Sequence, residues 1–169
     1  LEILTERLTR TLPQETTIGR LAGDEFAMFV DGLAADADNR GTVAQLARQL
    51  ATLDQMLDGG LTINIISSDL PGAPLESEPR YRRTAEVMTI LRQLLDRRPV
   101  EHHGEFFDLE LEPPRVGTVA GVCPPLYFGG HSEPARRVAA EHADVFLTWP
   151  DTEGAVAEAY AAAQREAHE

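Results

Sequence analysis

A single cysteine, Cys123, stands in a chain of 169 residues. One thiol excludes an internal disulfide and leaves any cysteine-based zinc site short of ligands. Positive charge is scarce as well: 15 Lys and Arg face 28 Asp and Glu, a formal net charge of −13. That balance argues against nucleic acid and against anionic membrane surfaces as partners, because both need clustered basic residues. No apolar run approaches the roughly 20 residues of a membrane span. The opening stretch, "LEILTERLTRTLPQ", is patterned as an amphipathic helix and not as a signal peptide. These absences predict a cytoplasmic address, and the start on Leu1, in what reads as mid-helix, predicts a piece of something longer.

What is present is an ordinary globular composition, 43% hydrophobic and 25% charged, in a length that suits one domain or two small ones. Leu1, Leu4, Leu8 and Leu12 predict a first helix stopped by Pro13. Residues 16–22 and 26–30 flank the tight polar turn "AGDE" and predict a β-hairpin, followed by the acidic loop "DGLAADADNRG". Val43, Leu46, Ala47, Leu50, Leu53 and Leu57 mark a helix closed by Gly59 and Gly60. "LTINII" then predicts a strand, and "SSDLPGAPLESEPR", with its prolines, a long loop.

Val87, Leu91, Leu94 and Leu95 mark another helix, ended before Pro99, and "PVEHHGEFFDLEL" a hairpin turning at His103 and Gly104. After a second long loop, "PPRVGTVAGVCPP", come a strand at 126–128, a helix at about 133–142, a strand at 145–148 and an Ala- and Glu-rich helix. Strand and helix alternate, the mark of parallel βα units.

Two stretches carry chemistry. In Gly19-Arg20-Leu21-Ala22-Gly23-Asp24-Glu25-Phe26, a glycine turn lets backbone approach a nucleotide while adjacent carboxylates offer hard oxygen ligands to Mg²⁺. Further on, Phe128-Gly129-Gly130-His131-Ser132 leaves a short strand and opens a helix. Ser132 suits the N-cap and Pro134 the first turn, and such a helix start favours an anion by about 0.3–1 kcal/mol.

The first stretch, within residues 1–53, resembles the signature turn of GGDEF domains, the diguanylate cyclases. By that resemblance Asp24 and Glu25 are candidate Mg²⁺ ligands and a guanine nucleotide is the ligand. Ala22 departs from the motif's first glycine, and the strand that carries the family's other metal carboxylate is missing.

Residues 54–169 resemble the bacterial-luciferase-like flavin monooxygenases, alkanesulfonate monooxygenases in particular, on "LTINIISSDLPG", "RYRRTAEVMTILRQLL", "VEHHGEFFDLEL" and "PPLYFGGHSEPARRVAAEHADVFLTWP". The resemblance implies a (β/α) barrel that uses reduced FMN and O₂ on an organosulfonate, with a partner reductase supplying the flavin. It places the FMN phosphate at Gly129, Gly130, His131 and Ser132, with Tyr81 beside it. Asn64 is a candidate contact to the flavin ring. On the residues alone, Tyr81 equally suits a helix start and Asn64 a buried amide satisfied within the core.

Of the remaining candidates, Cys123 reads as an inert, buried thiol, His102 and His103 as solvated turn residues, and Trp149 as core or pocket wall. About three βα units from the middle of the barrel are matched, where a full barrel takes about 250 residues. The family's catalytic histidine and arginine lie beyond "TWP".

The two likenesses meet on "LARQLATLDQMLDGG", which predicts a hybrid: a helix–hairpin–helix segment leading into a partial barrel. The expected fold is α/β, with the N-terminal hairpin pairing to "LTINII" in an open mixed sheet. Strand edges left exposed by a partial barrel must be covered, paired or joined to a second copy of the chain.

Overall fold

In the computed structural model of the chain, residues 16–22, 25–30, 39–67, 76–147 and 153–166 are described. The expected first helix, Asp24, the acidic loop at 31–38, most of the proline-rich loop and Trp149 lie outside the described residues.

The order of elements follows the hydrophobic patterning. Strands β1 (Thr16–Ala22) and β2 (Glu25–Val30) form an antiparallel hairpin, from Thr16↔Val30 to Ala22↔Glu25, with an irregularity between Arg20 and Ala22. Helix α1 (Asn39–Met56) buries Val43, Leu46, Ala47, Leu50 and Ala51, one face at helical spacing. Its end is sharp: Asp58 and Gly59 take φ of 53° and 80°, and the Gly59 N–H returns to the Asp54 carbonyl at 2.9 Å. The Asp54 side chain is buried and accepts from the N–H groups of Val119 (2.8 Å) and Leu61 (3.4 Å), which pins the loop before β6 to the helix end.

Strand β3 (Ile63–Ile65) is followed by α2 (Ser77–Leu95), which starts earlier than the prolines suggest. Pro79 lies in the first turn, where the missing N–H costs no hydrogen bond, so Ser77–Arg80 is helix and not loop. Then come the hairpin β4 (Val100–His103) and β5 (Asp108–Leu111), in register from Val100↔Leu111 to His103↔Asp108. Glu86 of α2 ties the hairpin down: its carboxylate accepts from the N–H groups of Glu105 (2.9 Å), Phe106 (3.2 Å) and Phe107 (3.0 Å) and meets His102 Nε2 at 3.1 Å.

Strand β6 (Leu126–Gly129), helix α3 (Glu133–His142), strand β7 (Val145–Leu147) and helix α4 (Glu153–Glu166) complete the chain. The strands β3, β6 and β7 make one parallel sheet in that order. Here the expectation of a mixed sheet is corrected. The β1–β2 hairpin forms a sheet of its own, and β3 pairs with β6. The short β3 gives its three-residue ladder to β6 in parallel, and β1 and β2 pair with each other along six register pairs.

The core lies between this sheet and the helices. Ile63, Leu126 and Phe128 pack with Met88, Leu91 and Leu94 of α2 and Ala135, Val138 and Ala139 of α3. Leu126 and Phe128 are fully buried, a contribution of about 1.5–3 kcal/mol each. Arg92 of α2 locks the layers. It donates to the His142 carbonyl (2.9 Å) and to Asp144 Oδ2 (2.9 Å), and that oxygen also accepts the Leu126 N–H (2.8 Å). Among the described residues no helix is long and apolar enough to cross a membrane.

Candidate functional site

In parallel pairing the three strands run in one direction and stop near one level: Ile65 pairs with Phe128, Phe128 with Phe146, and Gly129 with Leu147. The turn that leaves β6 therefore lies at the C-terminal ends of the strands, where ligands of α/β sheets bind. Both of its glycines are forced by close approach. A Cβ on Gly129 would sit 3.0 Å from the Leu147 carbonyl oxygen, and one on Gly130 would sit 2.6 Å from Ala135 Cβ. The turn is thus seated against β7 on one side and the first turn of α3 on the other.

Ser132 is the N-cap of α3, extended at φ −72° and ψ 155°, and its Oγ accepts the Ala135 N–H at 3.3 Å. Pro134 has no N–H to satisfy, and the Arg136 N–H closes on the Ser132 carbonyl at 3.0 Å. Of the N–H groups at the helix start, those of Ser132 and Glu133 have no place in the helical ladder, so they are the ones free to meet a ligand. The positive end of the helix dipole adds to them. Arg136 Nη1 folds back to donate to the His131 carbonyl at 2.8 Å, while the His131 side chain is exposed.

Tyr81 comes to this turn from α2. It lies one turn inside the helix, packs edge-on against Phe128 (ring centroids 6.2 Å, planes at 83°) and carries the Arg80 guanidinium 5.5 Å above its ring. Its hydroxyl is 3.6 Å from the point a Gly130 Cβ would occupy. The fold therefore gathers Tyr81, Gly129, Gly130 and Ser132, almost fifty residues apart in sequence, around one spot. The gathered polar groups are donors, a hydroxyl and backbone N–H groups at a helix start, and this set fits a phosphate.

Asn64 is placed differently. Strand alternation sets it opposite the buried Ile63, on the sheet face it shares with its register partners, Tyr127 and, beyond that, Val145. Asn64 is exposed, so it is no core amide; Tyr127 and Val145 are half-buried. Tyr127 and Arg136 were missed in the sequence. Alternation against Phe128 marks the first, and its place one helical turn beyond the Ser132 cap marks the second.

The other candidates are accounted for by their contacts. His103 Nδ1 lies 2.6 Å from Asp108 Oδ1, a hydrogen bond that pushes the imidazole pKa up. Burial drives the Cys123 thiol up to about 12, against the opposing pull of Arg92, so no thiolate nucleophile forms there near neutrality. Glu25 opens β2. Among the described residues no group of three or more His, Cys, Asp or Glu is placed to hold a metal ion. An open depression of about 390 Å³, bordered by Ala44, Arg48, Leu94 and Glu112 among others, includes none of the residues of the turn.

Comparison with known proteins gives the site its setting. The model of the luciferase-like monooxygenase family matches residues 41–169, so it takes in most of α1 as well as everything after it. A sulfoquinovose monooxygenase of Novosphingobium aromaticivorans is 51% identical over 124 residues, 69% of this chain and 34% of that protein. A sulfoquinovose monooxygenase of Agrobacterium fabrum is 39% identical over 158 residues, 86% of this chain and 41% of that protein, a span that reaches ahead of Gly41. The chain thus covers well under half the length of these relatives.

Among solved structures, EDTA monooxygenase from Chelativorans sp. BNC1 superposes with a TM-score of 0.63 at 22% identity, over 73% of this chain and 37% of that one. A type II Baeyer–Villiger monooxygenase from Pseudomonas putida, in complex with FMN, gives 0.57 at 19% identity, over 75% and 40%. At these identities the likeness is one of fold. The parallel sheet, the glycine turn at its C-terminal end and a family model that spans most of the sequence agree: the chain belongs to the luciferase-like monooxygenase family.

Proposed function

We propose that the chain binds reduced FMN, with the flavin phosphate held at Gly129–Ser132 and Tyr81, as part of a monooxygenase that acts on a sulfonated sugar. The observation that carries this reading is the turn after β6, which opens α3 on the Ser132 cap and has the Tyr81 hydroxyl 3.6 Å from the point a Gly130 Cβ would occupy. Family membership supplies the flavin, and the two relatives named for sulfoquinovose shift the expected substrate from an alkanesulfonate to a sugar sulfonate.

In this reading the chain's own residues bind and orient. The helix start and the Tyr81 hydroxyl hold the phosphate, and Tyr81 is kept in place by Phe128 below and Arg80 above. Gly130 lets the turn close against Ala135, which seats the start of α3 beside Tyr81. Asn64 and Tyr127, on the sheet face opposite Phe128, offer an amide and a phenol to the ring system. The bound flavin supplies the redox chemistry with O₂, and a reductase would supply the flavin in reduced form.

The test is an anaerobic titration of the chain with reduced FMN, beside Ser132→Ala and Asp24→Ala. Saturable binding, weakened roughly fivefold to tenfold in Ser132→Ala and unchanged in Asp24→Ala, is expected from the loss of one cap. Absence of binding up to millimolar flavin, or binding that depends on Asp24 and not on Ser132, overturns the proposal.

A further inference from the structure

We propose that Arg136 is a positioning residue for the anion-binding turn, one that sets where the Ser132 N–H points. The inference rests on the phosphate reading above and goes past it to a residue that would not touch the ligand.

Close packing against Leu147 and Ala135 seats Gly129 and Gly130, whereas the peptide between His131 and Ser132 turns about the His131 ψ and Ser132 φ bonds. The Ser132 Oγ engages the Ala135 N–H and holds the serine side chain against the helix, which bears on the Ser132 φ and not on the His131 ψ. Arg136 does act on the 131–132 peptide: its Nη1 donates to the His131 carbonyl at 2.8 Å.

A trans peptide is planar, with its C=O and N–H directed oppositely. No peptide bond among the described residues is cis. Drawing the His131 oxygen toward Arg136 therefore turns the Ser132 N–H to the other side, away from the guanidinium. It follows that Arg136 acts through the peptide and stands across it from the anion. The arginine is itself well placed for this. Its backbone N–H closes the first turn of α3 on the Ser132 carbonyl, so its side chain starts from the helix that the turn feeds.

Arg137 provides the control, because it carries the same charge one residue on but pairs with Glu78 (2.9 Å) and Glu133 (3.6 Å) instead of the turn. The experiment titrates the full 169-residue chain anaerobically with reduced FMN and with reduced riboflavin, which lacks the phosphate. It compares wild type, Arg136→Met, Arg136→Lys and Arg137→Met, with a thermal melt of each. Wild type is expected to prefer FMN. In Arg136→Met that preference should fall about fivefold, the effect of one hydrogen bond, with riboflavin affinity unchanged. Arg136→Lys, which keeps a donor, should recover part of it, and Arg137→Met should keep all of it.

If wild type binds the two flavins equally, or binds neither, the phosphate reading falls and this inference with it. If wild type prefers FMN and Arg136→Met prefers it equally, the phosphate reading stands and the positioning role is overturned. An equal loss for both flavins, together with a lowered melting temperature, would also overturn it, since that is the mark of a brace for the fold.

Discussion

Gly130→Ala puts the geometry of the turn to a quantitative test. The added methyl would lie 2.6 Å from Ala135 Cβ, where carbon atoms prefer about 3.5–4.0 Å. Ala135 is fully buried on the first turn of α3 and has no flexible end to swing aside, so α3 or the turn must shift by roughly an ångström. Overpacking of that kind costs about 1–3 kcal/mol. Gly130 is not among the described residues with positive φ, so the cost is steric and owes nothing to backbone conformation. For a chain of this size each kcal/mol lowers the melting temperature by roughly 2–4 °C, which places the drop at about 2–12 °C in a circular dichroism melt. On the proposed reading FMN affinity should fall with it, because the shift acts at the turn given to the flavin phosphate. Gly130→Ala combined with Ala135→Gly, which removes the opposing methyl, should recover most of the loss apart from up to about 1 kcal/mol of helix propensity. A Gly130→Ala chain as stable as wild type, or a double variant no better than the single, would refute the reasoning. Gly154, with nothing within 4 Å of its would-be Cβ and a place in α4, is the counterpart: Gly154→Ala should leave stability equal or higher.

Three further outcomes follow from contacts already described. Glu86→Ala leaves the N–H groups of Glu105, Phe106 and Phe107 without their acceptor, so it should cost about 3 kcal/mol and speed amide exchange at those residues; a loss below about 0.5 kcal/mol would contradict the role given to Glu86. Burial, reinforced by Arg92 and opposed by Glu141, lowers the His142 pKa, so the folded chain favours neutral imidazole. Its contribution is full above the unfolded value of about 6.5 and is lost as pH falls from there toward the folded value, and His142→Asn should flatten that limb of a stability–pH curve. With the Cys123 thiol pushed up to about 12, its reaction with a disulfide reagent at pH 8 should be far slower than that of free cysteine until the chain is unfolded, and equal rates would contradict that shift.

Much of the fold was legible because its signals are local. Helix α3 was expected at about 133–142 and runs Glu133–His142, since Ser132 and Pro134 mark its start and Ala143 leaves helical geometry. The turn at His103 and Gly104 was read from a polar break between alternating runs, and β4 and β5 flank it. What failed depended on partners that periodicity cannot name. Pro79 looked like loop because a proline in isolation does not say whether it stands in a first turn. The mixed sheet failed because "LTINII" carries the apolar pattern of a strand but not the identity of the strand beside it. At the site, the glycines, Ser132 and Tyr81 came from a resemblance whose blocks were contiguous in sequence. Arg136 bonds to a carbonyl five residues back along the chain, and no composition rule separates it from Arg137 beside it.

The two faces of β6 explain why a short strand can serve both stability and binding. Leu126 and Phe128 point to the helices and are fully buried, and Phe128 holds Tyr81. Tyr127 points the other way, in line with Asn64 and Val145, on a face that also carries Leu147, 39% accessible. Parallel sheets are ordinarily covered on both faces, so this side has the character of an unfinished interior: aliphatic, with one amide and one phenol. That is the lining a flat, mostly apolar ring with a few polar atoms requires. On the proposed reading a single strand then divides the cofactor between its two periodicities. Phe128 sets the phosphate end by way of Tyr81, Tyr127 faces the ring, and the glycines between strand and helix let the backbone pass from one to the other without a side chain in the way.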